Sequence, residues 1–507
     1  MLDLTPLLRP YFTARARHAL RLHDDVERTQ RRVLAWLLER GRLTDFGRRH
    51  AMQRGLTPKE FAARVPLQSY PDVRDDVMRA LHGEKDVLWP GRVSRFAQSS
   101  GTTDGKSKYI PVTADSLSRN HYRGGVYSVG HHLSHCGDSH LFSGKTFILG
   151  GSFANEVTGL PKGVKVGDLS AHLIECINPA VELMRTPPRE VALMEAWEAK
   201  LPKLIEIASG EDVTSISGVP SWFLTVLRGI LAKSGAGSIH DVWPRLEVFF
   251  HGGISFAPYR SQYHAISNPA KMHFLETYNA SEGFFAVQDS PEAPGMLLMI
   301  DDGIYYEFIP AEDADCPAPR TLPVWEVEEG GVYELVISSC NGLWRYRPGD
   351  TVRVRTTAPL RITVEGRTKQ YINAFGEELM VHNAEEAMAR ACRDTGASVA
   401  NYTAAPVYTT ERAKGHHEWL VEFAEAPESV EEFAASLDRH LCEVNSDYQA
   451  KRSGGIFLAP LTLRRVPAGF FDRWLATTGK LGGQRKVPRL CPDRHIIEPM
   501  LKMLAEE

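Results

Sequence analysis

From Arg95 onward, short apolar runs alternate with amphipathic stretches, and this alternation restricts the possible folds more than any other feature of the chain. Each run is closed by glycine or polar turn residues, as in KTFILGGSF (145–153), RLEVFFHGG (245–253), GMLLMIDDG (295–303) and VYELVISSC (332–340). Such bounded runs are typical of strands. The segments between them have the apolar spacing of helices, as in VALMEAWEAKLPKLIEIA (191–208). Strands that alternate with helices predict an α/β domain with a substantial sheet.

The pattern changes after Gly366, and a chain of 507 residues is longer than one hydrophobic core usually supports. Helix, strand, strand and long helix follow in order: HNAEEAMARACRDTG (382–396), VANYTAAPVYTT (399–410), HEWLVEFAEA (417–426) and SVEEFAASLDRHLCEVNSDYQ (429–449). This order is typical of a separate, smaller α+β domain. We place the boundary near residues 366–372, with a first domain over 1–368 and a second over 369–507.

The overall charge excludes some classes of partner. With 59 basic and 63 acidic side chains, the formal net charge is −4, which gives no general attraction to nucleic acid or to an anionic membrane. The N-terminus lacks the apolar core of a secretory signal, and no apolar stretch is long enough to span a membrane. Seven scattered cysteines without a CxxC pair favour the reducing cytoplasm. We expect a monomer or weak dimer.

RFAQSSGTTDGKSKYIPVT (95–113) is the segment most informative about chemistry. Among its hydroxyl, glycine and lysine residues are Ser99, Ser100, Gly101, Thr102, Thr103, Gly105, Lys106 and Lys108. Hydroxyl donors, close backbone approach and positive charge together suit a polyphosphate. A Walker A loop would need glycine at position 100, where the chain has serine. The alternative interpretation is a surface turn, since glycine, serine and threonine are common in turns.

These residues resemble the phosphate loop of the adenylate-forming superfamily. The segment 65–103, which leads into the loop, is similar to the auxin-responsive acyl acid amido synthetases of plants and their bacterial relatives. Further matching motifs follow in the family's order: TDFGRRHAM (44–52), GVPSWFLTVL (218–227), FFHGGISFAPY (249–259), YNASEG (278–283), YRPGD (346–350) and QRKVPR (484–489). The resemblance implies a large multi-sheet N-terminal adenylation domain and a smaller, mobile C-terminal domain on a hinge.

The resemblance also implies roles for nucleotide-binding residues. It assigns Glu282 to Mg²⁺, Tyr278 to the adenine, and Ala280 with Ser281 to the adenylate and the acyl carboxylate. A carboxylate is a hard oxygen ligand of the kind that Mg²⁺ prefers. In the same way it assigns Asp350 to the ribose hydroxyls, Arg367 to the ribose or phosphate, and Lys369 to the interdomain hinge. Taken alone, each motif is also compatible with an ordinary loop, turn or linker.

Two further groups of residues complete the expected site. In the superfamily a C-terminal lysine enters during adenylation, and Lys486 is the favoured candidate, with Lys480 second. Both are also compatible with solvated surface lysines. Trp222, His251 and Gly252 are expected to border the acyl group, although aromatics at such positions are more often core. Asn373, Gly376 and Glu377 are expected to face the active site in the second step. Asn279 departs from the family's motif.

The resemblance implies an ATP- and Mg²⁺-dependent ligase. It would activate a small carboxylic acid as acyl-AMP, release pyrophosphate, and transfer the acyl group to an amine or amino acid. The alternative is thioester formation with coenzyme A, which shares the first half-reaction. A non-catalytic nucleotide-binding module and a scaffolding protein are less favoured, because the chain carries Glu282, Asp350 and Lys486 together.

Overall fold

A computed structural model describes residues 2–99, 108–153, 155, 157–254, 256, 259–314, 316–367, 371–410, 413–453, 458–477 and 487–506. Seven residues with an expected role therefore lie outside the described residues. These are Ser100, Gly101, Thr102, Thr103, Gly105 and Lys106 of the phosphate loop, and Lys369 of the hinge. Lys480 and Lys486 also lie outside the described residues.

The helices are α1 (Thr5–Leu22), α2 (Val26–Gly41), α3 (Asp45–Arg49), α4 (Pro58–Arg64), α5 (Tyr70–Leu81), α6 (Tyr122–His135), α7 (Leu169–Glu175), α8 (Pro179–Glu182), α9 (Arg189–Ala192), α10 (Trp197–Ser209), α11 (Pro220–Ser234), α12 (Ile239–Val242), α13 (Arg260–Ile266), α14 (Val381–Thr395), α15 (Val430–Val444), α16 (Ser446–Arg452), α17 (Phe470–Thr477) and α18 (Ile497–Glu506). A π-helix, Ser116–His121, directly precedes α6. None of the described helices has the length and apolar character needed to cross a membrane.

The strands are β1 (Arg95–Ser99), β2 (Lys108–Pro111), β3 (Lys145–Ile148), β4 (Lys165–Gly167), β5 (Arg185–Thr186), β6 (Val213–Gly218), β7 (Val248–Gly252), β8 (His273–Ala280), β9 (Gly283–Val287), β10 (Met296–Leu298), β11 (Ile304–Pro310), β12 (Leu322–Pro323), β13 (Val332–Ser339), β14 (Asp350–Thr357), β15 (Leu360–Arg367), β16 (Tyr371–Ile372), β17 (Leu379–Met380), β18 (Ser398–Val407), β19 (His416–Glu425) and β20 (Thr462–Val466).

The described residues form two compact units. The first takes in residues up to 99, 108–253 and 263–367, and the second takes in 254–262 and the chain from 371 onward, within the described ranges. Residues of the segment 254–262 bond within the second unit: Tyr259 donates to the Ala374 carbonyl at 2.6 Å, and Gln262 donates to the Thr409 carbonyl at 2.6 Å. The division at residue 368 stays a prediction, and the compact units depart from it in this short segment.

One mixed sheet organises the first unit. Its strand order is β12-β11-β13-β14-β15-β10-β9-β8-β7-β6-β3-β5. The pairs from β8 through β7, β6 and β3 to β5 are parallel, and those from β8 to β12 are antiparallel. A smaller sheet, β2-β1-β4, carries Ser99 at the end of β1. The predicted α/β fold with a large sheet is confirmed.

The N-terminal helices pack on this sheet through apolar side chains at helical spacing. Leu34, Leu37 and Leu38 of α2 are all buried, as their spacing predicts. The following TDFGRRHAM motif is structural: Thr44 accepts the Gly47 amide and caps α3. A Cβ at position 47 would lie 2.0 Å from the carbonyl oxygen of Gly41, so only glycine fits there.

The second unit is the smaller α+β part. Its strands are ordered β18-β19-β20, and α14 and α15 pack on them around Trp419, Phe433 and Leu437. The sequence predicts one long helix over residues 429–449, but the structure divides it into α15 and α16. The break lies at Asn445, whose side chain accepts the Tyr448 amide at 2.7 Å and caps α16. Asparagine favours such a cap over a helix interior, which explains the difference.

Two ion pairs, one buried and one partly exposed, hold the WRYRPGD segment that leads to Asp350. Arg345 pairs with Glu307 of β11 at 2.9 Å, and both side chains are only 6% exposed. The same guanidinium donates to the Val65 carbonyl at 2.8 Å. Arg347 pairs with Glu334 of β13 at 2.5 Å. The arginines of this motif therefore anchor the backbone, which leaves Asp350 as its candidate ligand-binding residue.

Replacing Glu307 with alanine is expected to lower the free energy of unfolding by about 3–5 kcal/mol, because it leaves the Arg345 guanidinium buried without its carboxylate. Urea denaturation followed by tryptophan fluorescence measures the change. Glu27→Ala is the matched control, since Glu27 pairs with Arg31 on the surface of α2, where both side chains are about half exposed. Equal losses in the two variants would contradict a dominant role for the buried pair.

Candidate active site

His251 and Gly252 of the expected acyl site lie at the carboxyl end of β7, and Tyr278 and Ala280 of the expected nucleotide site lie at the carboxyl end of the neighbouring parallel strand β8. In register, Gly218 of β6 lies beside His251 of β7, and Gly252 lies beside Thr277 of β8. At this edge the strands continue into helices and turns. Motifs that are distant in sequence therefore lie near one another here. In open α/β sheets, this edge is where ligands usually bind.

Position 252 requires glycine because β7 and β8 approach each other closely there. A Cβ at this position would lie 2.3 Å from the Thr277 carbonyl oxygen. The Thr277 hydroxyl also donates to the His251 carbonyl at 3.0 Å. His251 itself is 3% exposed, and its ring lies 5.4 Å from that of Phe249. Gly252 thus allows β8 to approach the end of β7, and His251 packs inside the fold beside it.

The two aromatics of the GVPSWFLTVL motif have different surroundings. Phe223 is fully buried, with its ring 5.1 Å from that of Phe147 on β3. Trp222 is half-buried and lies 6.2 Å from Trp197, the first residue of α10. Phe223 is therefore core, whereas Trp222 remains a candidate for the acyl site.

Glu282 lies in the tight turn between β8 and β9. Ala280 pairs with Gly283 across the turn, so that Ser281 and Glu282 form its tip. Glu282 is 8% exposed, and its backbone carbonyl accepts the Asn341 amide group at 3.0 Å. The turn is therefore held by a side chain from beyond β13. Sequence reasoning missed Asn341, since no motif marks it.

Tyr70 connects Glu282 with the hairpin that carries the expected phosphate loop. The Tyr109 amide of β2 donates to the Tyr70 hydroxyl at 2.7 Å. Burial raises the pKa of Tyr70 to about 12, and the negative charge of Glu282 contributes to the same shift. Across the hairpin, Ser99 pairs with Lys108. Tyr70 therefore contacts the hairpin that carries the expected phosphate-binding segment and lies within electrostatic range of the residue expected to bind Mg²⁺.

Tyr278 and Asp350 form a direct buried pair. The Tyr278 hydroxyl donates to Asp350 Oδ2 at 2.5 Å, and the two residues are 9% and 7% exposed. The Tyr278 ring lies 4.8 Å from that of Phe285. Asp350 begins β14 and pairs in register with Arg367 at the end of β15; only the backbone of Arg367 is described. Tyr278 and Asp350, which are far apart in sequence, thus meet, and the backbone of Arg367 lies beside Asp350.

Asn279, which departs from the family's motif, has a neighbour that the sequence did not reveal. Its side chain lies near His121, the last residue of the π-helix. Burial lowers the pKa of His121 to about 4, so its ring is neutral near pH 7. π-helical turns are frequent at functional sites. Nothing in the residue spacing could have indicated this pair.

Glu377 was expected to face the active site in the second step. In the structure it is fully buried within the second unit and accepts His417 Nε2 at 2.8 Å. It also accepts the Phe375 amide at 2.7 Å. In the described arrangement Glu377 therefore stabilises its own turn.

The described residues contain no group of three or more histidine, cysteine, aspartate or glutamate residues that could hold a metal ion. Where Mg²⁺ is held by one protein carboxylate beside a nucleotide, phosphates and water supply most of its ligands. This is the usual manner of Mg²⁺ binding in phosphate-transferring sites. The buried carboxylate of Glu282 fits such a limited role.

The fold is that of the adenylate-forming enzymes. The solved structure of the AtGH3.15 acyl acid amido synthetase in complex with 2,4-DB matches with a TM-score of 0.60, 19% identity and coverage of 96% of each chain. That of 2-hydroxyisobutyryl-CoA ligase, with 2-HIB-AMP and CoA in the thioesterification state, matches with a TM-score of 0.56 and 16% identity, over 96% of this chain and 92% of the other.

Sequence comparison identifies the family. GH3 family domains match along the chain: the N-terminal domain over 15–181 and 173–272, the central domain over 297–367 and the C-terminal domain over 382–495. The chain belongs to the GH3 family. The resemblance predicted from the motifs is thereby confirmed.

Named relatives of this chain are amido synthetases, which are ligases. Indole-3-acetic acid-amido synthetase GH3.4 of Arabidopsis thaliana is 23% identical, over 96% of this chain and 93% of its own length. Indole-3-acetic acid-amido synthetase GH3.8 of Oryza sativa subsp. indica is 26% identical, over 94% and 90%. The chain therefore spans nearly the full length of these relatives.

The pairing of Tyr278 with Asp350 can be measured by a double-mutant cycle. Tyr278→Phe and Asp350→Ala are each expected to weaken ATP binding about tenfold, the scale of one hydrogen bond to a charged group. Calorimetric titration with ATP and Mg²⁺ gives the dissociation constants. The double variant is expected to lose less than the product of the single losses, because both substitutions remove the same contact.

Tyr333→Phe is the control for that cycle. Tyr333 is likewise buried, and its hydroxyl accepts the Glu328 amide at 3.1 Å. ATP affinity in this variant is expected to equal that of the wild type. Independent, multiplicative effects of Tyr278→Phe and Asp350→Ala would contradict a shared role in nucleotide binding.

Proposed function

We propose that this chain is an ATP-dependent acyl acid amido synthetase. It activates a small carboxylic acid as acyl-AMP and transfers the acyl group to an amine or amino acid, giving an amide, AMP and pyrophosphate. The observation that carries the proposal is the arrangement along β8. Tyr278 bonds with Asp350, Glu282 follows at the strand's end, and His251 lies on the adjacent strand.

In the proposed nucleotide site, Asp350 accepts the ribose hydroxyls. A carboxylate has two oxygens and about four acceptor positions, so its bond with Tyr278 leaves capacity for a sugar. The fixed Tyr278 hydroxyl sets the orientation of the phenol ring beside the adenine. Arg367, opposite Asp350 in register, contributes positive charge to the ribose or phosphate. Ala280 and Ser281 border the adenylate and the acyl carboxylate.

In the proposed phosphate site, Ser99, Ser100, Gly101, Thr102, Thr103, Gly105 and Lys106 hold the phosphates of ATP. Glu282 would hold Mg²⁺, which neutralises phosphate charge when bound. The acid's carboxylate oxygen attacks the α-phosphorus, the bond to the β-phosphate oxygen breaks, and pyrophosphate leaves. Lysine and backbone donors stabilise the charge that develops on the phosphates. Lys486, or in second place Lys480, is the proposed C-terminal lysine for this step.

The second half-reaction follows a proposed movement of the domain 369–507 about Lys369. Hinges absorb large dihedral changes in a few loop residues. The neutral amine attacks the acyl carbon of acyl-AMP, the bond to the phosphate oxygen breaks, and AMP leaves while the amine nitrogen loses a proton. Trp222, His251 and Gly252 are the proposed boundary of the acyl group.

Thioester formation with coenzyme A is the second candidate. The similarity in fold to 2-hydroxyisobutyryl-CoA ligase supports thioester formation as an alternative. The GH3 family match favours amide formation. Nucleic acid and membrane are not proposed partners, and a monomer or weak dimer is proposed. We place the reaction in the cytoplasm, since all seven cysteines are free thiols.

The proposed reaction is tested by acid-dependent exchange of pyrophosphate into ATP, over a panel of carboxylic acids. Glu282→Gln is expected to lower the exchange rate roughly a hundredfold, the scale of losing one preorganised electrostatic contact. Chelation of Mg²⁺ with EDTA is expected to stop exchange. Mass spectrometry of products with amino acids or coenzyme A as acceptor then distinguishes amide from thioester.

Glu292→Gln is the control, because Glu292 is an exposed carboxylate in the loop after β9. It is expected to exchange pyrophosphate at the wild-type rate. If no acid supports exchange, or if the two glutamate variants behave alike, the proposed function is wrong.

A further inference from the structure

Lys200 of α10 is a buried lysine that no step of the proposed reaction uses. It is 2% exposed. Lysine is almost never fully buried without a charged partner, because transferring an ammonium group out of water is costly. An apolar side chain at the same position would avoid this cost. The presence of an amine at this position therefore requires an explanation.

The contacts of Lys200 satisfy only part of its hydrogen-bonding capacity. Its Nζ donates to the Gly150 carbonyl at 2.7 Å and lies 5.9 Å from the Trp197 ring. Among the described residues, no carboxylate lies within ion-pair distance of Nζ. An ammonium group has three donors. Gly150 is the one acceptor that the described part of the chain provides.

The charge of Lys200 persists near neutral pH. Burial lowers the pKa of Lys200 to about 8, and the negative charge of Asp168 opposes this shift. Asp168 itself accepts the Ser152 amide at 2.7 Å. Lys200 therefore keeps a positive charge at pH 7 while lacking a direct anionic partner in the described residues.

Lys200 lies at the same edge of the sheet as the proposed acyl site. Gly150 comes just after β3, whose neighbour β6 leads into α11 and Trp222. Trp197 contacts both the Lys200 amine and the Trp222 ring. Two strand spacings, roughly 10 Å, separate β3 from β7 and His251. An extended acid whose carboxylate lies near β8 would reach toward Lys200 with its far end.

We propose that Lys200 binds an oxygen atom at the far end of the acyl acid. The substrate class is then a carboxylic acid with a second oxygen function (a carbonyl, hydroxyl or second carboxylate) remote from the reacting group. This inference rests on the proposed function and specifies its substrate. A purely hydrocarbon acid would leave the buried ammonium group unsatisfied, so the site selects against it.

The test compares matched acids in the pyrophosphate exchange assay: octanoic acid, 7-oxooctanoic acid and octanedioic acid, with phenylacetic and 4-hydroxyphenylacetic acid as an aromatic pair. For the wild type, kcat/KM is expected to be roughly ten- to hundredfold higher for the acids with a distal oxygen. In Lys200→Met this preference is expected to fall to about one, whereas Lys200→Arg keeps part of it. The oxo and dicarboxylic acids distinguish a neutral acceptor from an anion.

Lys203→Met is the matched control, since Lys203 is an exposed lysine on the same helix. Its preference is expected to equal that of the wild type. Thermal unfolding of each variant checks that α10 is intact. An unchanged preference in Lys200→Met, or a wild-type preference for the unsubstituted acids, would overturn the assignment of Lys200.

Direct binding keeps this inference separate from the proposed function. Calorimetric titration with 7-oxooctanoate and octanedioate needs no catalysis. Binding that is weakened in Lys200→Met but not in Lys203→Met supports the inference even where no acid supports exchange. If exchange proceeds and Lys200→Met changes neither the acid preference nor acid binding, the inference is wrong and the proposed function stands.

Discussion

The parallel pairing of β7 with β8 is the constraint on which the site depends. At Gly252 the two strands approach so closely that a Cβ would meet the Thr277 carbonyl oxygen at 2.3 Å. This approach sets the register that places His251 beside Glu276 and directs Tyr278 and Glu282 to the carboxyl edge. Because β8 turns back as the antiparallel strand β9, one strand belongs to both halves of the sheet. The acyl side and the nucleotide side of the proposed site meet there.

Residues within one motif have separate roles. In WRYRPGD, Arg345 and Arg347 are committed to Glu307 and Glu334, and these pairs hold the backbone that presents Asp350. In GVPSWFLTVL, Phe223 is core while Trp222 contacts Trp197. Motifs of this kind remain together in sequence because the residue that binds a ligand and the residues that position it are parts of one local structure.

Much of the fold could be predicted because its signals are local. Apolar runs closed by glycine or polar turn residues predicted β3, β7, β10 and β13, and helical spacing predicted α10 and α14. The break at Asn445 was missed, since a capping side chain interrupts a helix without changing the apolar pattern around it. In the proposed site, Tyr278, Glu282 and Asp350 were proposed from their motifs. His121, Asn341 and Tyr70 were not, because each acts through a contact with a residue far away in sequence.

The sequence by itself determined the class of fold, the GH3 resemblance and the chemical character of the proposed site: hydroxyls, glycines and lysines near position 100, and carboxylates at 282 and 350. Only the tertiary structure decided which of these side chains meet, as Tyr278 does with Asp350. It alone also revealed that Lys200 is buried beside the carboxyl end of β3. Local periodicity reports which face of an element is apolar, whereas strand order and register decide which polar groups become neighbours across the sheet.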